Sequence, residues 1–311
     1  MFDFIEVMFF EEKGGNLYIE KALLDALCLR PLTFYLGIPL SMITDLQLPQ
    51  WLDNLIFEQL GAKYCRSNAD MTVIDWDKND VLNYLGTYFP RSYAESYSIF
   101  SEYFKNHPDK YFNYSELSIL DFGCGTGGEI IGLLSCIELL LKDVSIIKIV
   151  GIDGNHHALK LFEKAMKDYR KRSRLNISVQ LAPITIGNFY DLSVLDEIVT
   201  EQFDIIMSFK AICEFVTKDQ FEGNNPYAHI AKTYIPHLNN EGIMVLVDVT
   251  TYNNTSKEWL PNMIDKGLSS TNCLIIGRNS GYNQTFCVKH SKTYGGIDTS
   301  KICWRIITKK L

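Results

Sequence analysis

One glycine-rich segment has the residue types and spacing most suited to chemistry. The run "ILDFGCGTGGE", residues 119–129, ends an apolar stretch at Asp121 and Phe122 and continues with glycines at 123, 125, 127 and 128. Glycine has no Cβ and tolerates positive φ, so such a cluster between a strand and a helix brings backbone close to a nucleotide. Two ligand-binding patterns fit these glycines. One is the dinucleotide fingerprint GxGxxG over 123–128, and the other is GxGxG over 123–127, preceded by an acid. No Gly-Lys-Ser/Thr follows, which excludes a P-loop.

The acids around this segment separate the two patterns. Asp121 lies two residues before Gly123, where it would repel a pyrophosphate at close range. A ligand with an ammonium group, such as S-adenosylmethionine, would be attracted there instead. Asp153, in "VGIDGNHHAL", ends the next predicted strand and can accept hydrogen bonds from both hydroxyls of a ribose. Nicotinamide and methionine-derived cofactors share that second role, so Asp121 is the residue that discriminates.

The elements that must position these residues alternate after residue 113. Five β-rich runs, most of them separated by helix-length amphipathic segments, are "LSILDF", "VSIIKIVGID", "NISVQLAPITI", "FDIIMSF" and "GIMVLVDVT". This alternation predicts an α/β fold with a doubly wound, mostly parallel sheet and helices on both faces. Two further β-like runs, "QTFCVKHS" and "KICWRIITK", have no helix between them and predict a terminal antiparallel hairpin. Ligands bind beyond the carboxyl ends of parallel strands, so function is expected in the loops there.

The chain before residue 113 has a different pattern. Apolar residues at three- and four-residue spacing predict helices at 16–29 and 50–65, and a tyrosine-rich helix over 81–109 interrupted at Pro90 and closed by Pro108. Residues 1–112 carry 16 acidic and 9 basic side chains, a net charge of −7, while 113–311 carry 21 of each. We therefore predict a helical cap or substrate-recognition segment over 1–112 and a cofactor-binding domain over 113–311.

Composition excludes several classes of protein. With 47% hydrophobic and 22% charged residues, the chain has the composition of a globular protein. Four acids among the first 12 residues argue against a signal peptide, and no apolar run approaches the roughly 18 residues of a membrane-spanning helix. The eight cysteines form no CxxC pair, so we expect no zinc site, no disulfide framework and reduced thiols in a cytoplasmic protein.

Taken in order, these motifs resemble the class I S-adenosylmethionine-dependent methyltransferases. "LDFGCGTGG" is similar to their first motif, "GIDGN" to their second, and "FDIIMSF" and "LNNEGIMVLVDV" to their fourth and fifth strands. The resemblance implies a Rossmann-like sheet of seven strands with the last one antiparallel, and S-adenosyl-L-methionine lying across the glycine loop.

The same resemblance assigns further cofactor-binding residues. Asp153 would hold the ribose, and Asn188 and Phe189, after the third strand, would flank the adenine. The acid usual in that loop is not at the expected position, since "IGNFYDL" offers Asn188 first and Asp191 later. The predicted cofactor-binding set is Asp121, Gly123, Cys124, Gly125, Gly127, Asp153, Gly154, Asn155, Asn188, Phe189 and Ser208, with Arg91 and Tyr93 from the preceding helix.

Methyl transfer by direct displacement needs alignment and a dry site more than a covalent catalyst. If the acceptor requires a base, Glu214 is the first candidate and Lys210 a positioning residue, although an acid at a helix start is also a common stabilising feature. Arg91 and Tyr93 could close the cleft as a lid or merely pack a helix. "SFKA" at 208–211 differs from the Asn/Asp-Pro-Pro-Tyr/Phe tetrad of base N-methylation.

The acceptor stays open at this level. "SFKAICEF" and "YFPRSYAESY" are similar to methyltransferase-like proteins of the small ribosomal subunit, but the cysteine cluster of those proteins is not reproduced by the cysteines at 273, 287 and 303. The acidic front segment fits RNA badly, and the basic run at 164–174 is typical of a solvated helix end. The sequence therefore favours a methyltransferase acting on a small molecule or a protein. The alternatives are a ribosome-associated RNA methyltransferase, a non-catalytic cofactor-binding assembly factor and, more distantly, an NAD-dependent oxidoreductase.

Overall fold

The structure is a computed structural model that describes residues 46–64, 77–111, 114–215, 224–254, 257–279, 285–289 and 297–310. The helix predicted at 16–29 lies outside these residues. The helices are α1 (Gln50–Asp53, continued by a π-helical turn at Asn54–Gln59), α2 (Lys78–Asn106), α3 (Gly128–Leu140), α4 (His156–Arg170), α5 (Ile212–Phe215), α6 (Pro226–Tyr234) and α7 (Leu260–Ser269). Short 3-10 turns occur at Pro108–Tyr111, Ser193–Leu195 and Ile235–His237.

The strands follow the predicted order, with additions at the sheet edge. They are β1 (Leu46–Gln47), β2 (Glu116–Phe122), β3 (Ile146–Asp153), β4 (Asn176–Pro183), β5 (Phe203–Phe209), β6 (Leu238–Val249), β7 (Tyr252–Asn253), β8 (Glu258–Trp259), β9 (Cys273–Arg278), β10 (Thr285–Lys289) and β11 (Ile297–Lys309). The main sheet runs β1-β10-β11-β6-β5-β2-β3-β4, with β9 also paired to β11, and β7 and β8 form a separate pair.

The central sheet confirms the predicted fold class. Strands β4, β3, β2, β5 and β6 are parallel, whereas β11 pairs antiparallel with both β6 and β10. The β10–β11 pair is the predicted terminal hairpin. Strand β9, from the run "CLIIGR", was not predicted and extends the same edge. The parallel register places Asp121 opposite Gly151 of β3 and Met207 of β5, so the loops of all three strands meet at one edge.

Two apolar layers cover the sheet because its central strands are buried on both faces. One layer joins α2, α3 and α4 to side chains such as Ile119 and Ile205. The other joins α6 and α7 to alternate residues of the same strands, including Leu120 and Ile206. The described part of the front segment is therefore continuous with the core of the domain that follows it.

The long helix α2 corrects one expectation. Proline lacks an N–H and crowds the preceding turn, so an interruption at Pro90 was predicted, yet α2 runs unbroken from Lys78 to Asn106. Its packing on α3 explains the continuity: a Cβ built on Gly128 would lie 2.6 Å from the Phe89 carbonyl oxygen, and one on Gly132 would lie 2.4 Å from that of Tyr93. This close contact on both sides of the proline holds the two turns in line.

The helix starts at a strong cap and the described cysteines are reduced. Asp77 accepts hydrogen bonds from the backbone N–H groups of Asn79 and Asp80, and the Asp80 carboxylate accepts from the Asp77 N–H, which is a capping box.

Cysteines 124, 136, 213, 273 and 303 are free thiols. Within the described ranges, no helix combines the length and apolarity needed to span a membrane.

Candidate cofactor and methyl-transfer site

The glycine loop between β2 and α3 folds onto the end of β3. Its first residues donate backbone hydrogen bonds to the Ile152 carbonyl, from Gly123 at 2.8 Å and Cys124 at 3.0 Å. Gly127 has φ of +80°, and a Cβ there would lie 2.3 Å from the Phe162 ring of α4. Both the backbone conformation and the packing therefore require glycine at this position. Cys124 is fully buried, and its contact with a cofactor stays a prediction.

Asp153 ties the second loop to the first. One carboxylate oxygen accepts from the Gly125 N–H and the other from the Asn155 N–H, each at 2.8 Å. Burial raises the pKa of Asp153, and these two hydrogen bonds oppose that shift. Each oxygen retains a further lone pair. The Asn155 side chain is engaged as the cap of α4, accepting from the backbone N–H groups of His157 and Ala158.

Asp121 is a buried acid beside a second one. It has no solvent exposure, neither of its oxygens has a donor in hydrogen-bond geometry, and the Glu129 carboxyl lies close enough to share a proton with it. Burial raises its pKa well above the usual range, and the carboxyls of Glu129 and Asp153 raise it further. Native proteins rarely leave a buried polar group unpaired. The unmet hydrogen bonds of Asp121 therefore point to a cationic or donor-bearing ligand.

Glu129 is a buried acid that the sequence analysis missed. It occupies the first turn of α3, directly after the glycine loop. Burial raises its pKa to about 8, while its backbone hydrogen bond and the charge of Lys210 act in the opposite direction. A signal was present: Glu129 is the single acid in "GGEIIGLL", an otherwise apolar helix start that predicts burial on all sides.

The end of β5 carries the predicted catalytic pair. Lys210 adopts φ of +56°, unusual for a non-glycine residue, and strain of this kind clusters at functional sites. Its ammonium lies 2.5 Å from a carboxylate oxygen of Glu95 on α2, and the other oxygen of that buried carboxylate has no partner. Ser208, two residues before Lys210, is buried, and its hydroxyl also has no hydrogen-bond partner.

Glu214, in the first turn of α5, is exposed to solvent. Nearby protein still desolvates its carboxyl and raises the pKa to about 8, with Asp248 contributing and Lys210 opposing. Asp248 itself is buried and accepts from the Tyr227 hydroxyl at 2.8 Å and from the Cys213 N–H at 3.1 Å. These contacts fix α5 relative to the end of β6.

The tyrosine beside the glycine loop is Tyr84, which the sequence analysis did not single out. A Cβ built on Gly125 would lie 3.4 Å from the Tyr84 hydroxyl oxygen. Tyr84 stacks on Tyr88 with ring centroids 4.9 Å apart, and the Arg91 guanidinium lies over the Tyr88 ring at 5.4 Å. Tyr93 is buried farther along the α2–α3 contact, where burial raises its pKa to about 12.

The loop after β4 holds the remaining predicted residues. The Phe189 ring is 1% exposed and packs on Phe122 and His229. Asn188 is exposed, and its side-chain oxygen accepts from the Tyr190 N–H at 3.0 Å. Gly154 follows Asp153 in a bend, where a Cβ would lie 3.4 Å from the Ile184 carbonyl oxygen. The contact of Asn188 and Phe189 with an adenine stays a prediction.

Comparison with solved structures gives distant similarities. The chain is similar to the magnesium protoporphyrin IX methyltransferase of Synechocystis PCC 6803 with bound S-adenosylmethionine, at 11% identity and a TM-score of 0.42, over 76% of this chain and 86% of that one. An inferred class I S-adenosylmethionine-dependent methyltransferase of Listeria monocytogenes is 13% identical with a TM-score of 0.41, over 68% of this chain. The match spans 59% of the Listeria protein, less than two thirds of its length. Similarities this distant carry no argument about function.

The sequence comparisons are more decisive. No curated protein matches the chain. A family model described as a methyltransferase domain matches residues 113–303, more than half of the chain and all of the central sheet from β2 to β6. The chain therefore belongs to the class I S-adenosylmethionine-dependent methyltransferases, and S-adenosyl-L-methionine is its cofactor.

Proposed function

We propose that this methyltransferase transfers a methyl group directly from S-adenosylmethionine to a nucleophilic atom of a small molecule or a protein. The observation that carries the proposal is Asp121, a fully buried carboxylate at the glycine loop with two unpaired oxygens. An ammonium group supplies the hydrogen-bond donors and the positive charge that this carboxylate lacks. The residues present therefore fit the amino end of the cofactor.

The neighbouring residues fit the rest of the cofactor. Asp153 keeps lone pairs for the ribose hydroxyls after accepting two backbone hydrogen bonds, which hold its carboxylate in place. Gly123, Gly125 and Gly127 all have positive φ, so the loop can lie against a ligand without side chains in between. The backbone of Cys124 and the residues at 154, 155, 188, 189 and 208 complete the proposed set.

The protein's contribution to the reaction is alignment, exclusion of water and, where the acceptor is protonated, removal of a proton. The cofactor supplies a methyl group on a positively charged sulfur, and no covalent enzyme intermediate is required. Glu214 is an exposed carboxyl shortly after β5, and the charge of Lys210 lowers the pKa of both Glu214 and Glu129. We assign Glu214 as the base and Lys210 as a positioning residue.

The distribution of charge supports a small-molecule or protein acceptor over RNA. The basic run at 164–174 lies at the end of α4, and much of it serves the fold. Arg174 donates to the carbonyls of Val144 and Leu141, while Lys171 and Arg172 pair with Asp168. Those contacts engage three of the six basic side chains of the run. An RNA acceptor and a non-catalytic assembly role remain the alternatives to test.

Calorimetric titration tests the cofactor assignment first, before the acceptor is identified. We expect S-adenosylhomocysteine to bind saturably and NAD to give no saturable signal. Saturable NAD binding without a response to S-adenosylhomocysteine would overturn the cofactor assignment for the cleft. Incubation with methyl-labelled cofactor and a cell extract, fractionated into metabolites, RNA and protein, then identifies the class of acceptor.

The Asp121→Asn variant tests the role of the unpaired carboxylate. Loss of a charge-assisted hydrogen bond to the ammonium should weaken S-adenosylmethionine binding by about 1.5–3 kcal/mol. The fold should stay intact, because the substitution removes a like charge beside Glu129. Asp191→Asn is the matched control, since Asp191 is exposed and bonds only within its own turn, to Ser193. Equal dissociation constants for wild type and Asp121→Asn would refute the assignment.

A further inference from the structure

One stripe of helix α2 runs along the carboxyl edge of the sheet. Residues 84, 88, 91 and 95 follow one another at intervals of four, three and four, so they lie within about 60° of one another around the helix axis. At one end, a Cβ built on Gly125 of the glycine loop would lie 3.4 Å from the Tyr84 hydroxyl oxygen. At the other end, the Lys210 ammonium, just after β5, donates to Glu95 at 2.5 Å. The contacts at both ends place the stripe over the space between these two loops.

The middle of this stripe is open to solvent, although the helix around it is buried. Over residues 85–96, Tyr88 and Arg91 keep partial exposure, and all the other residues are buried. The exposed pair therefore marks a gap in the cover of the helix. Because this gap lies between the Gly125 contact and the Lys210 contact, it opens beside the glycine loop.

Tyr88 and Arg91 form one unit in this gap. The Arg91 guanidinium carbon lies 5.4 Å from the Tyr88 ring centroid, within the range of a cation–π contact. The Tyr88 ring stacks in turn on Tyr84, with centroids 4.9 Å apart and planes 25° from parallel. Stacking restricts these side chains before a ligand arrives, so less conformational entropy is lost on binding. The stripe therefore presents a pre-oriented cation at the opening beside the glycine loop.

Arg91 is better suited than Lys210 to supply positive charge to a ligand. The Lys210 side chain is 11% exposed, and its ammonium is paired with Glu95, whose side chain has no solvent exposure. Breaking that pair would leave a buried carboxylate without its counter-ion, which is costly. A guanidinium carries five N–H donors in one plane, so a contact within the protein leaves donors for a second partner. Its fork matches the two oxygens of a carboxylate or a phosphate.

We propose that Tyr88 and Arg91 bind the methyl acceptor, and that the acceptor is a small organic anion whose carboxylate or phosphate pairs with Arg91. This inference rests on the proposed function of the cleft and names its substrate class. Two parallel N–H···O bonds hold the anionic group, and the Tyr88 ring packs on the apolar part of the molecule. The anionic group is an anchor, and the methylated atom is a different one, nearer the glycine loop. The opening spans about one helical turn, so it admits a small molecule and not the surface of a folded protein.

Binding measurements test the anionic anchor first, with the full chain saturated with S-adenosylhomocysteine. Three probes of similar size are compared by calorimetry: benzoate, phenyl phosphate and the uncharged benzamide. We expect benzoate or phenyl phosphate to bind at least about tenfold more tightly than benzamide, and the tighter of the two identifies the anionic group. Arg91→Gln should remove the preference, and Arg91→Lys, which keeps the charge without the fork, should retain part of it. Equal binding of the three probes, no binding of either anion, or a preference that survives Arg91→Gln would overturn the inference.

Turnover tests the inference independently of these probes. The protein is incubated with methyl-labelled S-adenosylmethionine and the diffusate of a dialysed cell extract, which contains its small molecules. We expect a labelled product that an anion exchanger retains at pH 8. Arg91→Gln should raise the diffusate concentration needed for half-maximal turnover about 30-fold and change kcat less than about threefold. A neutral or cationic product, or a variant that loses kcat alone, would contradict recognition of an anion by Arg91.

Arg172→Gln is the matched control, because Arg172 also lies over an aromatic ring. Its guanidinium carbon is 5.2 Å from the Trp51 ring centroid, and the side chain, just after the end of α4, is 45% exposed. We expect Arg172→Gln to leave probe binding and turnover unchanged, and both arginine variants to bind S-adenosylhomocysteine as the wild type does. Equal losses in the two variants would overturn the inference, since the guanidinium would then act through folding. Normal binding of S-adenosylhomocysteine with an unlabelled diffusate would refute the acceptor class alone, whereas absence of that binding in the wild type would refute the methyltransferase site itself.

Discussion

Two buried ionisable residues in this molecule have opposite hydrogen-bonding environments. Arg305, on β11, is 2% exposed and fully engaged: it donates to both Asp265 oxygens at 2.6 and 2.8 Å and to the Trp304 carbonyl at 2.8 Å. Asn279 extends the network by bonding the backbone of Ile302 and Trp304. Asp121, on β2, is equally buried, but no donor group satisfies its oxygens and its neighbours are the carboxyls of Glu129 and Asp153.

The difference separates structural from functional burial of charge. A buried ion that is paired and hydrogen-bonded specifies packing, and removing one partner is costly. A buried ion without partners cannot be explained by packing, because its desolvation is not offset within the protein. Near the carboxyl edge of the sheet, the Ser208 hydroxyl and one oxygen of Glu95 also lack a hydrogen-bond partner. On β11 the Trp304 Nε1 lacks one too, but the charged group there, Arg305, is satisfied. Binding of a charged ligand is therefore expected beside Asp121 and not beside Arg305.

The largest effect should follow from breaking the satisfied pair. Asp265→Ala leaves Arg305 buried without its counter-ion and should lower the free energy of unfolding by about 2–3 kcal/mol, a value reduced because Asp265 itself is 38% exposed. Chemical denaturation measures this, and the affinity of the folded fraction for S-adenosylhomocysteine should not change. Asp168→Ala is the control, because it breaks surface pairs with Lys171 and Arg172 that should contribute at most about 1 kcal/mol. A loss no larger than that of the control would remove the contrast between the two regions.

An intermediate effect on stability is expected at Asp153, which is assigned both a structural and a binding role. Asp153→Ala removes the acceptor of two loop N–H groups, and leaving buried donors unpaired costs about 1–3 kcal/mol in stability. The affinity for S-adenosylhomocysteine should fall in addition, since the ribose contacts are lost. Denaturation and calorimetry on the same preparation give both values. If stability fell while affinity stayed constant, Asp153 would be a purely structural residue.

Per pH unit, the smallest effect concerns protonation of the unsatisfied site. The pKa of Glu129 is raised in the folded state, so the folded protein binds more protons than the unfolded chain between the ordinary carboxyl pKa and about pH 8. Stability of the ligand-free protein should therefore fall as pH rises through that window, by at most about 1.4 kcal/mol per pH unit. Denaturation midpoints from pH 5 to 9 measure the slope, which Glu129→Gln should flatten. A slope that is unchanged in Glu129→Gln would contradict a protonated Glu129 in the ligand-free site.

Much of the fold could be predicted because its signals are local. "FDIIMSF" and "LNNEGIMVLVDV" coincide with β5 and β6, since buried parallel strands are short apolar runs with clear ends. The unbroken helix through Pro90 could not be predicted, because its continuity depends on Gly128 and Gly132 of another helix. Strand β9 was missed for a similar reason, since its partner among the described strands, β11, lies about 30 residues later.

The site divides in the same way. Asp121 and Asp153 follow from motif spacing, because each stands at the tip of a strand beside a loop. The pairing of Lys210 with Glu95 joins residues 115 positions apart, so no local sequence pattern predicts it. Tyr84 is the tyrosine over Gly125 because of the rotation of α2 about its axis, which is set by packing. Sequence reasoning could identify a tyrosine-rich helix near the cleft but not the tyrosine that faces it.

The contacts of α2 also determine how much of the fold can form while the protein is being synthesised. Helix α2 leaves the ribosome before β2 and every strand after it, yet it packs on α3 and contacts β10 and β11, near the end of the chain. Until those strands exist, α2 lacks part of its final contacts. Every acid discussed here, through Asp248, is already synthesised by then. Synthesis of β10 and β11, and not translation of the last of these acids, is therefore the event that completes the packing of α2.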